Sequence, residues 1–357
     1  METQRQQAVE TVIKAVWGGR ASLAGMTPLT GDASSRSYAR LSLQDAGPAT
    51  TVMMILSGSG LSVSSDELAV FSEPLKELPY LNVYRFLRSL GVRVPETYYD
   101  GSRDGFLLLE DIGDAPLREV AAGKSAQEIE LLYCQAIDQL VLLQVDGTRR
   151  RDGACIAFQQ RFDQRLFMWE FEHFIEWGLE KREGKPLPTA EGRELRAMFD
   201  KISSTLDRAP AFLNHRDYHS WNLFVQGEQN GTIRVIDFQD ALLAPATYDL
   251  ETLLNDRDTP TIITPALEQA LVEYYHAAWT ARGGDAISRE QLWEEYNLCL
   301  LQKACKVVGR FYFLELEKRK TGYSRYIPPT LATVRRVVAR LPHYRRLQDI
   351  VADHFPE

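Results

Sequence analysis

Apolar residues recur at helical intervals through the first seventeen positions, with Val9, Val12, Ile13 and Val16 on one face, and Trp17-Gly-Gly ends the run. Short alternating stretches follow: Met26 to Leu29, Ser37 to Leu43 and Val52 to Leu56. Turn-rich segments, Gly31 to Ser35 and Gln44 to Pro48, separate them, so a small antiparallel sheet is expected. A helical stretch runs roughly from Asp66 to Leu90, interrupted near Pro74 and Pro79 and stopped by Gly91. Thr97 to Tyr99 and Phe106 to Leu109 read as two more strands joined by Asp100 to Gly105. Residues 18–110 should therefore form a β-rich lobe containing one helical segment.

From Leu117 onward the period lengthens. Helices are predicted over Ala126 to Val145, Phe158 to Glu180, Ala190 to Leu206, Ala246 to Leu254, Ala266 to Ala281, Arg289 to Glu317 and Leu331 to Ala339. One β element stands out in this half, a hairpin of Leu223 to Val225 and Thr232 to Ile236 turning at Gly227 to Gly231. The expected fold is thus α+β and bilobal, with residues 1–112 as the β-rich lobe and 113–357 as the helical lobe. A cleft between two such lobes is a natural ligand site.

Composition narrows the class. A chain of 357 residues is too long for one compact core and fits two unequal lobes. Apolar content of 45% and charged content of 25% are ordinary for a soluble protein. A formal net charge of −8 argues against a nucleic-acid partner, which would need a basic face. The N-terminus is polar and no apolar run approaches membrane-span length, so no membrane partner is expected. Four scattered cysteines lack metal-ligand spacing and read as small buried hydrophobes of a reducing compartment, here the cytoplasm. Nothing in the pattern marks an oligomer interface, and no internal repeat is evident.

The chemistry concentrates in one stretch. Leu213-Asn-His-Arg-Asp-Tyr-His-Ser-Trp-Asn-Leu-Phe-Val225 places Asp217 five residues before Asn222, and Val235-Ile-Asp-Phe-Gln-Asp240 places Asp237 after an apolar run. This is the spacing of phosphoryl-transfer sites of the kinase type. There, Asp217 would accept the proton of an attacking hydroxyl, and Asn222 and Asp237 would give oxygen ligands to Mg2+ on the phosphates of ATP. The hairpin would bring Asn222 at its entry and Asp237 at its exit to one edge. The connection Leu107 to Gly113 either crosses the back of the cleft, with backbone groups at Glu110 and Ile112 facing an adenine edge, or is a plain strand end and turn. Further on, Gln302, Lys306 and Arg310 recur every fourth residue on a mostly apolar helix. That stripe either faces a substrate or is a solvated polar face.

These residues resemble the aminoglycoside phosphotransferase and choline kinase superfamily, and within it the bacterial anomeric kinases of N-acetylmuramate and N-acetylglucosamine. The broader resemblance rests on His215-Arg-Asp217, Asn222 and Asp237. The narrower one rests on Asp32-Ala-Ser-Ser-Arg-Ser-Tyr38, Phe106 to Gly113, His215 to Asn222, and Asp237-Phe-Gln-Asp-Ala241 running to Pro245-Ala-Thr-Tyr-Asp-Leu250. It implies a protein-kinase-like fold and a sugar acceptor phosphorylated at C1. It also implies Asp217 as base, Asn222 and Asp237 as magnesium ligands, and Asp249 as a brace accepting bonds from the catalytic loop. A first-turn carboxylate favoured by the helix dipole is an equally simple account of Asp249. His215 would order the loop. His219 would either reach substrate or pack as a hydrogen-bonded core histidine. Lys306 would pair with an acidic group of the sugar.

Two departures from the pattern stand out. No Gly-x-Gly-x-x-Gly covers the first hairpin, where Ser34 and its neighbours would approach phosphate instead. The third strand, Thr51 to Leu56, has no lysine for the α- and β-phosphates; Arg36, or else Arg40, would supply that charge unless it is a solvated surface arginine. Kinases of choline or an aminoglycoside, and a nucleotide-binding pseudokinase, are the competing readings.

Overall fold

The computed structural model describes residues 2–29, 37–56, 77–227, 231–256 and 259–356. The predicted turn Gly31 to Ser35, the helical stretch from Asp66 to Lys76 with Pro74, and the hairpin tip at 228–230 lie outside the described residues.

The first third forms one sheet. Strands β1 (Ser22–Leu29), β2 (Ser37–Gln44), β3 (Thr50–Ile55), β4 (Thr97–Gly101) and β5 (Phe106–Glu110) pair antiparallel in the order β1-β2-β3-β5-β4. Alternation divides its side chains between two cores. Ala39, Leu41, Met53, Phe106 and Leu108 face helix α1 (Glu2–Trp17), whose Val9, Val12 and Ile13 close a small core on that side. Met54, Leu107 and Leu109 point the other way and join the main core of the molecule.

Helix α2 (Pro79–Leu90) makes that connection. Pro79 starts it, where no N–H is needed, and Gly91 at φ 85° ends it in the left-handed conformation. Its Tyr80 ring lies 4.9 Å from Phe238, immediately after Asp237. The helix therefore packs on the segment that carries Asp237 although it belongs to the β-rich part of the sequence.

The remainder is mostly helical: α3 (Ala126–Val141), α4 (Gln164–His173), α5 (Thr189–Arg208), α6 (Tyr248–Asn255), α7 (Pro265–Ala281), α8 (Arg289–Leu316), α9 (Ile327–Arg340) and α10 (Arg345–His354). Ser125 and Ser288 each open a reciprocal capping box, at α3 and α8. The α4 run begins at Gln164, not at Phe158. The Phe162 N–H is directed to the Leu243 carbonyl (2.7 Å), and the Asp163 carboxylate caps the Leu166 N–H (2.9 Å). It then widens into π-helical turns over Phe174–Lys181, which α8 crosses closely at Gly309. A Cβ at Gly309 would fall 2.8 Å from both the His173 carbonyl and the Phe174 Cα.

The hairpin has a β companion that the pattern did not predict. Besides β7 (Leu223–Gln226) and β8 (Thr232–Val235), strands β6 (Ala211–Asn214) and β9 (Leu242–Pro245) pair across the catalytic loop. Both are four residues long, too short to display a period. Helix α10 was also unforeseen. Among the described residues no helix is long and apolar enough to cross a membrane.

Candidate active site

The catalytic loop leaves β6 at Asn214, which has no exposed surface and anchors the strand end. Its amide donates to the carbonyls of Phe212, Ala244 and Pro245 at 3.0–3.2 Å and accepts from Gln144 Nε2 at 2.8 Å. Two further groups fix the next residues. His215 Nε2 donates to the Ile236 carbonyl (2.8 Å), tying the loop to the end of the hairpin. Asp249, buried in the first turn of α6, accepts from the His215 N–H (2.5 Å) and the Arg216 N–H (3.0 Å). Arg216 takes φ 82°, a left-handed conformation costing about 1–3 kcal/mol in a residue with a Cβ, and these bonds hold it there. Burial pushes the Asp249 carboxyl up to about 6, against the downward pull of His215 and its backbone bond.

Asp217, Asn222 and Asp237 are brought to one edge. The Asn222 amide nitrogen donates to the Asp217 carbonyl (3.0 Å), while the Ile236 N–H donates to the Asn222 carbonyl (3.0 Å) and sets Asp237 beside Asn222. Asp237 leaves the hairpin at φ 64° with an exposed carboxylate that accepts from Gln239 Nε2 (2.9 Å). Since the Asn222 nitrogen is committed to the loop, its Oδ1 is the atom left for a ligand. Among the described residues no three His, Cys, Asp or Glu side chains converge as a metal cluster. A cation here would be held by one carboxylate, one carboxamide and the ligand's own oxygens, a set suited to Mg2+.

Charge around Asp217 is organised by α8. Burial alone would raise the Asp217 carboxyl, but Lys303, Arg216, His219 and Lys306 hold it down to about 2. Lys303 is half-buried with its ammonium 5.2 Å from the Tyr248 ring centre. Desolvation works against its charge, and Asp217, Glu251, Glu170 and Asp249 overcome that and keep it protonated.

The stripe of Gln302, Lys306 and Arg310 behaves as neither simple reading. Gln302 has no exposed surface and donates to Glu170 (2.8 Å), a buried carboxylate on α4 that also forms an ion pair with Lys306. Arg310 is exposed. Lys303, Glu170 and Glu251 were the residues missed. Each is a charged residue with apolar or aromatic neighbours on a helix, as in Phe167-Met-Trp-Glu-Phe171, and that placement is the available signal. His219 is half-buried, its Nε2 3.4 Å from the Asn222 amide nitrogen.

On the nucleotide side, the Glu110 N–H is directed to the Glu96 carbonyl (2.7 Å) and its carboxylate to Arg234. Its N–H is thus taken up by the protein. No main-chain hydrogen bond engages Ile112 among the described residues, which leaves its backbone available. Arg40 forks onto two carboxylates, Asp111 (2.6 and 3.0 Å) and Asp114 (2.7 and 2.8 Å). Ser34 and Arg36 lie outside the described residues.

Known proteins resemble this chain in sequence and in fold. The model of the phosphotransferase enzyme family matches residues 25–284. The N-acetylmuramate/N-acetylglucosamine kinase of Pseudomonas aeruginosa is 30% identical over 278 residues, covering 77% of each chain. That of Neisseria meningitidis is 29% identical over 284 residues, 77% of this chain and 80% of its own. Among solved structures, the ADP-bound aminoglycoside phosphotransferase APH(2'')-Ib superposes with a TM-score of 0.59 at 14% identity over 94% of this chain and 97% of its own. The choline kinase LicA of Streptococcus pneumoniae gives 0.55 at 14% over 96% and 100%. The fold is the bilobal one of protein-kinase-like enzymes, with the sheet at the N-terminal end and helices beyond it. The chain belongs to the phosphotransferase enzyme family and is a kinase with a hydroxyl acceptor.

Proposed function

We propose that this enzyme is an ATP-dependent sugar kinase of the cytoplasm that phosphorylates the C1 hydroxyl of N-acetylmuramate or N-acetylglucosamine. ATP lies between the β-rich part (residues 1–112) and the helical part (113–357), its adenine against the backbone at Ile112. Asn222 and Asp237 would hold magnesium, which would neutralise charge on the phosphates.

The observation that carries the reading is the Asp217 carboxylate, ionised throughout the neutral range on a loop braced by Asp249. A carboxylate held at about 2 is a weak base, so its first task is orientation. It accepts a hydrogen bond from the acceptor hydroxyl and aims the oxygen in line with the phosphorus. It takes the proton only as the new O–P bond forms and the bond from the γ-phosphorus to the bridging oxygen breaks, with ADP as the leaving group. Arg216, kept beside it by the strained backbone, and Lys303 offset the charge that accumulates. Positioning and charge neutralisation supply most of the rate.

The acetylated-sugar assignment is supported by the curated relatives named above. ADP release measured over a panel of amino sugars, choline and aminoglycosides tests it, with the phosphorylated position read by NMR. Turnover confined to choline or an aminoglycoside overturns the sugar assignment. Nucleotide binding without turnover of any acceptor makes the chain a pseudokinase.

A further inference from the structure

The acceptor side of the site contains an ammonium with no protein partner. Lys303 lies one turn before Lys306 on α8, close enough to Asp217 to be the main cation acting on it. Yet among the described residues no hydrogen bond or ion pair engages its Nζ, which has only the face of Tyr248 beneath it. The neighbouring carboxylates are otherwise committed. Glu170 is taken by Lys306 and Gln302, and Asp249 by two backbone N–H groups. Glu251 accepts from Thr252 (2.8 Å), and burial disfavours its charged form, raising its carboxyl to about 8 against the pull of Lys303. A half-buried ammonium with three unplaced donors is incomplete until a ligand supplies oxygens. The cavity that Lys303 shares with Glu251, Thr252 and Thr333 is about 30 Å³, room for a water but not for a sugar ring. On the function proposed above, the acceptor lies on the Asp217 side of Lys303, where the attacked hydroxyl is placed.

We propose that Lys303 reads the charge of the acceptor: its ammonium donates to oxygens beside the attacked hydroxyl, admits neutral or anionic sugars, and repels cationic ones. This rests on the site acting on acetylated amino sugars. It moves charge recognition from Lys306, already neutralised by Glu170, to Lys303, and it accounts for a site that differs in preference from kinases of cationic acceptors on the same fold.

N-acetylglucosamine and glucosamine make the test, since they differ in the acetamido group that replaces an ammonium next to C1. kcat and KM are measured for both sugars and for ATP in the wild type and in Lys303→Arg, Lys303→Met and Lys303→Glu. Lys303→Met is expected to shift the ratio of kcat/KM values toward glucosamine by roughly tenfold, and Lys303→Glu by roughly a hundredfold. Lys303→Arg keeps the wild-type ratio, and the KM for ATP stays within about twofold in all three, because the contact is with the acceptor. A ratio unchanged in the Met and Glu variants overturns the role, as does a loss that falls on the KM for ATP. Should the Glu variant fail to fold, the Met and Arg pair decides alone. Wild-type enzyme that phosphorylates no acetylated sugar defeats the function proposed above. Turnover with a ratio indifferent to residue 303 defeats only the role of Lys303.

Discussion

Replacing Asp249 by Asn should separate catalysis from stability. In the folded chain burial raises the Asp249 carboxyl from 3.8 to about 6, so its ionised form costs about 3 kcal/mol. The sign follows from proton binding. Between pH 3.8 and about 6 the folded chain holds more protons at this site than the unfolded one, so this contribution to stability falls as pH rises through that window. Asparagine removes the cost. It also weakens one of the bonds to the His215 and Arg216 N–H groups, each charge-assisted and contributing about 1.5–3 kcal/mol, by turning an NH2 toward a donor. The two effects nearly cancel, and urea or thermal unfolding should place Asp249→Asn within about 2 kcal/mol of the wild type. Turnover should not be spared. With one bond gone, Arg216 can relax from its left-handed backbone and carry Asp217 with it, and a displacement of about 1 Å is sufficient for a hundredfold loss of kcat. A variant with near-normal kcat, or one destabilised by more than about 4 kcal/mol, would refute this account of the brace.

Three other outcomes follow from the same geometry. Asp217→Ala should lower kcat by about 10²–10⁴ while leaving nucleotide affinity, read by calorimetry, nearly unchanged. Arg40→Ala leaves Asp111, whose side chain is 8% exposed, without its guanidinium, so a loss of about 2–3 kcal/mol is expected on thermal unfolding, with Lys recovering only part of it. Both ring nitrogens of His354 bond carboxylates, Glu183 and Glu191 at 2.8 Å, beside Arg182 and Lys185. Burial would lower its pKa, but the two carboxylates raise it above 6.5, so its stabilisation is complete below 6.5 and is lost as pH rises through the folded value. Melting temperatures taken from pH 6 upward should fall more steeply in the wild type than in His354→Gln, and parallel slopes would exclude the clasp.

What the sequence made legible, and what it concealed, divides by range of interaction. The strands from Ser22 to Glu110 and the long helices declare themselves, because burial on one side imposes a period over many residues. β6 and β9 do not, being four residues long and stabilised by Asn214, Gln144 and pairing across the catalytic loop. The start of α4 was misplaced because Phe162 is apolar at a helical interval while its N–H belongs to Leu243. At the candidate site, spacing sufficed to expect Asp217, Asn222 and Asp237 close together, since hydrogen bonds local to the loop and hairpin join them. It misled for Gln302 and Lys306, because periodicity places residues on a face without saying what covers that face. Here Glu170 does, 132 residues from Gln302 in the chain.

The ion pair between Glu110 and Arg234 constrains how the molecule opens. Arg234 on β8 also donates to the Val94 carbonyl (3.1 Å), and the Val235 N–H reaches the Arg93 carbonyl (2.9 Å). The hairpin that carries Asn222 and Asp237 is therefore riveted to the β5 end of the sheet. On the function proposed above, an opening that admits nucleotide would pivot beyond this joint, toward β1 and β2 at the far edge of the sheet, while the proposed metal-binding pair keeps its place.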